Sequence, residues 1–208
     1  PRADGGMPAR VTTDGLAVYA AGIAAAPVGE ANLDNTPFLI FTVDSLSRRM
    51  DTDAFLPLFT EWEAVLEQGL FLLPIDENGL VYNDVQKPHS PYGFTDTIGK
   101  TGTLYMESLL YWRACRMMEH MCKTYGVGNP DHFAEAAEAV ERSLSLLFDP
   151  AAGAFYAATK DCHQYDIWGM AYMLYIGFPC SADEKQAVLS FLEKNYDACV
   201  YRGQVRHL

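Results

Sequence analysis

Six helical segments alternate between two kinds, and that alternation limits the fold more than any other feature of the chain. The first segment opens at Thr36-Pro37 with the apolar run Phe38 to Val43, a helix with Thr36 as N-cap and Pro37 at its first position. The third, about Thr103 to Tyr125, is apolar nearly all round except for a stripe of Arg113, Arg116, His120 and Lys123. The fifth, Ile167 to Phe178, is apolar throughout. Between them lie one-faced helices. The second starts near Asp51-Thr52-Asp53 and gathers Phe55, Leu58, Phe59, Trp62, Val65 and Leu66 on one side, with Glu61, Glu63 and Glu67 elsewhere. The fourth follows Asn129-Pro130 and gathers Phe133, Ala136, Ala137, Val140, Leu144 and Leu147, while the sixth opens with the capping box Ser181-x-x-Glu184.

A helix that is apolar on every side needs cover on every side, whereas a one-faced helix belongs on the outside. The intervening loops repeat as well. Asp76, Gly79 and Tyr82 in the first loop return as Asp149, Gly153 and Tyr156, 73 to 74 positions later. Short strands are expected in both loops, around 79–82 and 149–165, at Cys199 to Val205, and in a short hairpin over Val11 to Tyr19. Internal repetition of a buried helix, an amphipathic helix and a stranded loop points to concentric rings. The predicted fold is an all-α (α/α)6 toroid, with three helical hairpins, half of it, present as a single domain over 1–208.

Bulk properties narrow the function. The net charge of -12 and the lack of a basic patch argue against nucleic acid. No apolar run is long enough to span a membrane. Half the residues are hydrophobic and 12% aromatic, so a sizeable core is available. Five cysteines without a C-x-x-C pair fit reduced thiols in a cytoplasmic protein rather than a disulfide or zinc framework. The histidines lack zinc-ligand spacing, so neither a metal nor another cofactor is expected. Gly99-Lys100-Thr101 resembles the end of a phosphate-binding loop, but Phe94 stands where that loop requires glycine, and no buried strand precedes it. The chain begins at Pro1 and stops at Leu208 without a closing element, which leads us to expect a piece of a longer protein.

Each apolar helix is preceded by a short acidic stretch: Asn32-Leu33-Asp34-Asn35, Tyr92-Gly93-Phe94-Thr95-Asp96-Thr97 and Gln164-Tyr165-Asp166. In a toroid the inner helices start at one rim, so Asp34, Asp96 and Asp166 are expected to share a mouth although 62 and 70 positions separate them in sequence. Tyr92, Phe94, Tyr165 and Trp168 would line that mouth and stack on sugar faces. Paired carboxylates in such a place suit glycoside hydrolysis, in which an acid protonates the leaving oxygen and a second carboxylate activates water roughly 6.5 to 9.5 Å away in inverting enzymes. A helix N-terminus favours the ionised form of a carboxylate, against the needs of the acid. An aspartate there is also an ordinary helix cap. Trp62, Trp112, Cys115 and Cys122 are expected in the core.

The series Leu33-Asp34-Asn35-Thr36-Pro37-Phe38, the loop Tyr92-Gly93-Phe94-Thr95-Asp96-Thr97 and the run Asp166-Ile167-Trp168-Gly169 resemble the six-hairpin glycosidase superfamily. The bacterial amylo-α-1,6-glucosidase, processing α-glucosidase and trehalase-like proteins are the nearest in kind. That resemblance implies an inverting, exo-acting hydrolase of an α-linked gluco-oligosaccharide. Asp34 falls where the superfamily's general acid lies in segments such as W-D-N-S-P, with Leu33 in place of the usual Trp or Met. The base of those relatives comes from a later hairpin, so Asp96 and Asp166 are expected to bind sugar hydroxyls and Tyr92, Phe94 and Trp168 to stack. The rest of the chain, or a second chain, would complete the ring. Two other classes remain open: an α/α-barrel sugar isomerase using His89 and His163, and a non-catalytic carbohydrate-binding toroid.

Overall fold

The computed structural model of the chain describes residues 32–92 and 98–207. Its helices are α1 (Asn35–Ser47), α2 (Thr52–Phe71), α3 (Tyr105–Tyr125), α4 (Pro130–Ser143), α5 (Ile167–Ile176), α6 (Ala182–Lys194) and the short α7 (Tyr196–Cys199). Among the described residues, three two-stranded antiparallel ladders lie in the loops: β1 (Tyr82–Asn83) with β2 (Gly102–Thr103), β3 (Phe148–Asp149) with β4 (Ala154–Phe155), and β5 (Val200–Tyr201) with β6 (Gln204–Val205). The expected hairpin over Val11 to Tyr19 lies outside the described residues, as do Phe94 and Asp96.

The helices form two layers. α1, α3 and α5 stand side by side, with α2 behind α1 and α3, α4 behind α3, and α6 behind α5. α3 is the centre, burying 13 of its 21 residues, which is what its all-round apolar sequence requires. Its core neighbours include Phe55, Phe59 and Trp62 from α2 and Phe133, Ala137 and Val140 from α4. Each large side chain removed from water contributes about 2 kcal/mol. Trp62, Trp112, Cys115 and Cys122 are buried as expected, and all five cysteines are free thiols. None of the described helices is long and apolar enough to cross a membrane. Glu63 departs from the amphipathic pattern: it is buried beside Cys122, because Gly128 lets the chain pass directly over its carboxylate.

Local signals set the helix boundaries. The Asn129 side chain accepts from Asp131 N with Pro130 at the first position, and Ser181 and Glu184 form the reciprocal capping box. Gly126 and Gly177 adopt the left-handed conformation that ends α3 and α5, so α5 stops at Ile176 rather than Phe178. α1 begins two residues earlier than Thr36-Pro37 implies, with Asp34 at the N-cap. α3 begins at Tyr105 because Gly102–Thr103 is committed to the β1 ladder. α5 is apolar but not enclosed: Met170 and Met173 are buried, whereas Tyr175 is 79% exposed.

The loops repeat in three dimensions as in sequence. Asp76 accepts from Asn78 N and Leu80 N, and Asp149 from Ala151 N and Ala152 N, each turn closing through a glycine at positive φ, Gly79 or Gly153. The second oxygen of Asp76 accepts from Thr103, and that of Asp149 from the hydroxyls of Tyr156 and Tyr165. Each helix of the first layer is stitched at its start to a loop that follows it in sequence. Leu33 N donates to Ser90 O (3.1 Å), Tyr105 N to Ala157 O (3.0 Å) and Ile167 N to His207 O (3.1 Å). This stitch brings the starts of α1, α3 and α5 to one rim.

Candidate active site at the rim

Two of the three expected aspartates occupy equivalent positions. Asp34 and Asp166 are the N-caps of α1 and α5, whereas the N-cap of α3 is Leu104. Asp96 lies outside the described residues, nine positions before Tyr105 in the sequence. The acidic group that α3 contributes to this end is Glu107, in its first turn.

The two caps differ. Asp34 is half-buried and its side chain makes no capping bond. Burial raises its carboxyl above the ordinary carboxylate range, opposed by a backbone hydrogen bond and by the nearby Lys100 ammonium. Asp166 is fully buried, with Oδ1 accepting from Gly169 N at 2.6 Å. Burial lifts its carboxyl to about 6, against the opposing pull of Lys100 and the Gly169 bond, with Glu107 adding to the rise. The conflict between a helix N-terminus and a raised carboxyl is thus resolved in favour of burial.

Lys100, set aside as part of an incomplete phosphate loop, stands at the centre. It is 1% exposed and its Nζ lies 3.2 Å from Glu107 Oε1. The same oxygen accepts from Tyr92 N at 2.8 Å. Breaking so deeply buried a pair by removing one partner costs about 3–5 kcal/mol. The Lys100 ammonium also acts on His207, whose imidazole is lowered to about 4, chiefly by burial. Among the described residues, Glu107 Oε2 and Asp166 Oδ2 are buried without a hydrogen-bond partner.

Aromatic rings flank the carboxylates. Tyr92 packs 5.6 Å from Phe38 and 6.2 Å from Trp168, and Trp168 lies 4.5 Å from the His207 ring while its Nε1 donates to Val205 O. Phe38, on α1, is 40% exposed. Tilted pairs at these separations are favoured aromatic geometries, and together the rings form one aromatic surface. Tyr165 is turned elsewhere, its hydroxyl bound to Asp149. Of the isomerase candidates, His163 stacks on Tyr156 at 3.8 Å with Nδ1 3.1 Å from Ala158 O, and the backbone N–H of His89 donates to Asn83. Among the described residues no group of three or more His, Cys, Asp or Glu is placed to hold a metal ion.

Of the residues the structure brings to this rim, Asp34, Asp166, Tyr92 and Trp168 were expected from the sequence, and Lys100, Glu107 and His207 were not. Glu107 had a signal: it is the lone acidic residue in the apolar run Leu104 to Trp112. A charge inside such a run must be paired if it is buried.

Solved structures similar to this chain include two rhamnosidases. One is a rhamnosidase from Klebsiella oxytoca with rhamnose bound, at a TM-score of 0.61 and 12% identity, covering 78% of this chain and 30% of that one. The other is a GH78 family rhamnosidase of Bacillus sp. GL1, at a TM-score of 0.62 and 14% identity, covering 94% of this chain and 23% of that one. What is shared is the fold. The chain spans less than a third of the length of either neighbour. No protein-family model matches the chain, and no curated protein matches its sequence.

Proposed function

We propose that this chain is half of an (α/α)6 toroid in a glycoside hydrolase, with Asp34 as the general acid. The observation that carries the reading is the pairing, at one rim, of a half-buried carboxyl held above its ordinary range with the aromatic platform of Tyr92 and Trp168. A raised carboxyl retains the proton that a leaving glycosidic oxygen must receive. In the proposed inverting, exo-acting reaction, Asp34 gives its proton to the glycosidic oxygen as the bond to the anomeric carbon breaks. A water molecule adds to that carbon from the opposite face and loses a proton to a second carboxylate. That base, in this reading, comes from the hairpins that complete the ring, supplied by the rest of the chain or by a second chain. Asp166 and Asp96 bind sugar hydroxyls, Tyr92, Phe94 and Trp168 stack on the ring faces, and the reduced thiols fit a cytoplasmic setting.

For the substrate we propose an α-linked gluco-oligosaccharide. An α-rhamnoside is the second reading, favoured by the two rhamnosidases that share the fold. The test is hydrolysis of a panel of α-glucosides, α-rhamnosides and β-glycosides by the complete protein and by Asp34→Asn, with the anomer of the released sugar followed by proton NMR. The expected result is turnover of one α-glycoside with inversion, reduced at least a hundredfold in the variant, as general-acid contributions of that size imply. Undiminished turnover in Asp34→Asn removes Asp34 from the mechanism. Oligosaccharide binding without turnover by the complete protein would identify a non-catalytic toroid instead.

A further inference from the structure

Two buried polar side chains hold the stretch of chain that carries Tyr92. Asn83, at the end of β1 and fully buried, donates through Nδ2 to Lys100 O (2.6 Å) and His89 O (3.1 Å), and its Oδ1 accepts from His89 N (2.7 Å). Glu107, on α3 and 2% exposed, takes Tyr92 N and Lys100 Nζ on one oxygen. The two residues it joins are eight positions apart in sequence. Among the described residues, the ammonium held in this way has titratable neighbours on four other parts of the chain. Asp34 lies at the start of α1, Cys162 in the loop after β4, Asp166 at the start of α5 and His207 beyond β6.

We propose that Glu107 and Lys100 are the positioning pair of the rim: Glu107 seats the backbone of Tyr92 and holds the Lys100 ammonium where it faces Asp34 and Asp166. Neither residue needs to touch a ligand to do this. The pair sets where the aromatic platform stands and how readily the two aspartates ionise. It rests on the proposed hydrolase only for what those aspartates then do, not for its geometry. A side chain that merely filled space would leave the aspartates' ionisation unchanged when its charge was removed.

The test is carboxyl-carbon NMR of the full chain labelled in aspartate, titrated for the wild type, Glu107→Gln and Lys100→Met. The glutamine keeps an acceptor for Tyr92 N but no charge. The Asp166 midpoint is expected to rise by about one pH unit in Lys100→Met and to fall by a smaller amount, roughly half a unit, in Glu107→Gln, about tenfold and threefold changes in ionisation constant. Asp34 is expected to rise with Asp166 in Lys100→Met. Amide exchange of Tyr92 is expected to remain slow in Glu107→Gln and to quicken at least tenfold in Glu107→Ala. Where a single charge removal prevents folding, the double variant Lys100→Met/Glu107→Gln removes the ion pair together. Its Asp166 midpoint is expected to rise, because Lys100 is the larger of the two opposing influences. Midpoints that stay put, or that move the same way in the two single variants, overturn the proposal, as does unchanged Tyr92 exchange in Glu107→Ala. Hydrolysis is measured on the same proteins: a wild type that titrates as expected but cleaves no glycoside refutes the hydrolase reading alone.

Discussion

Asp166 makes the fold pH-dependent in a direction opposite to that of most aspartates, and Asp166→Asn measures the effect. Its carboxyl is lifted from 3.8 to about 6 on folding, chiefly by burial. Between those values the folded chain binds more protons at this site than the unfolded chain, so stability falls as pH rises through that window. Below pH ~4 the group is protonated in both states and contributes no penalty. Above pH ~6 it is ionised in both, and the full cost of burying the charge applies, about 3 kcal/mol from a displacement of roughly two units. Asparagine has nearly the same shape, keeps an oxygen to accept from Gly169 N, and carries no charge at any pH. The variant is therefore expected to be more stable than the wild type by about 3 kcal/mol at pH 7, with the advantage shrinking to near zero by pH ~4. For a chain of this size that corresponds to a rise in Tm of about 6–12 °C at neutral pH. Urea unfolding of both proteins at several pH values between 4.5 and 7.5 measures the difference, which removes the contribution of every other carboxylate. A difference that stays constant across this range, or a variant less stable at pH 7, would refute the argument.

Three further outcomes are expected. Gly79→Ala places a Cβ 2.6 Å from Ala139 Cβ at a φ of +85°, so it should lower Tm by about 5–10 °C in a thermal melt, on a cost of roughly 2–3 kcal/mol. An unchanged Tm would show that the first loop does not close on α4 as described. Cys115 and Cys122, both pushed up to about 12 by burial, should resist a maleimide at pH 8 in the folded chain while all five thiols react in denaturant. Peptide mapping that finds either one labelled in the native protein contradicts their placement. Trp168→Ala should weaken oligosaccharide binding by calorimetry about tenfold while leaving the far-ultraviolet circular dichroism unchanged. Undiminished affinity would remove Trp168 from the platform.

Much of the framework was legible because its causes are local. The Asn129-Pro130 start of α4, the Ser181–Glu184 box and the paired Asp76 and Asp149 turns each involve residues within a few positions of one another. The order of buried and amphipathic helices followed from which faces are apolar. The site was legible only in part. The N-cap of α3 is Leu104, because the start of that helix is set by the pairing of Gly102–Thr103 with Tyr82–Asn83, some twenty positions away. Lys100 and Glu107 belong to the site because the loop turns back on the first turn of α3, a consequence of Asn83 and Glu107 satisfying groups that would otherwise be buried unpaired.

The sequence by itself determined the order of the helices, the caps of α4 and α6 and the repeated turns, because periodicity and short-range hydrogen bonding act within one element. Only the tertiary structure decided which charges meet. Burial and Coulomb attraction depend on distance in space, and three stitches from Leu33, Tyr105 and Ile167 to loops 40 to 57 positions onward gather the starts of α1, α3 and α5 around one ammonium.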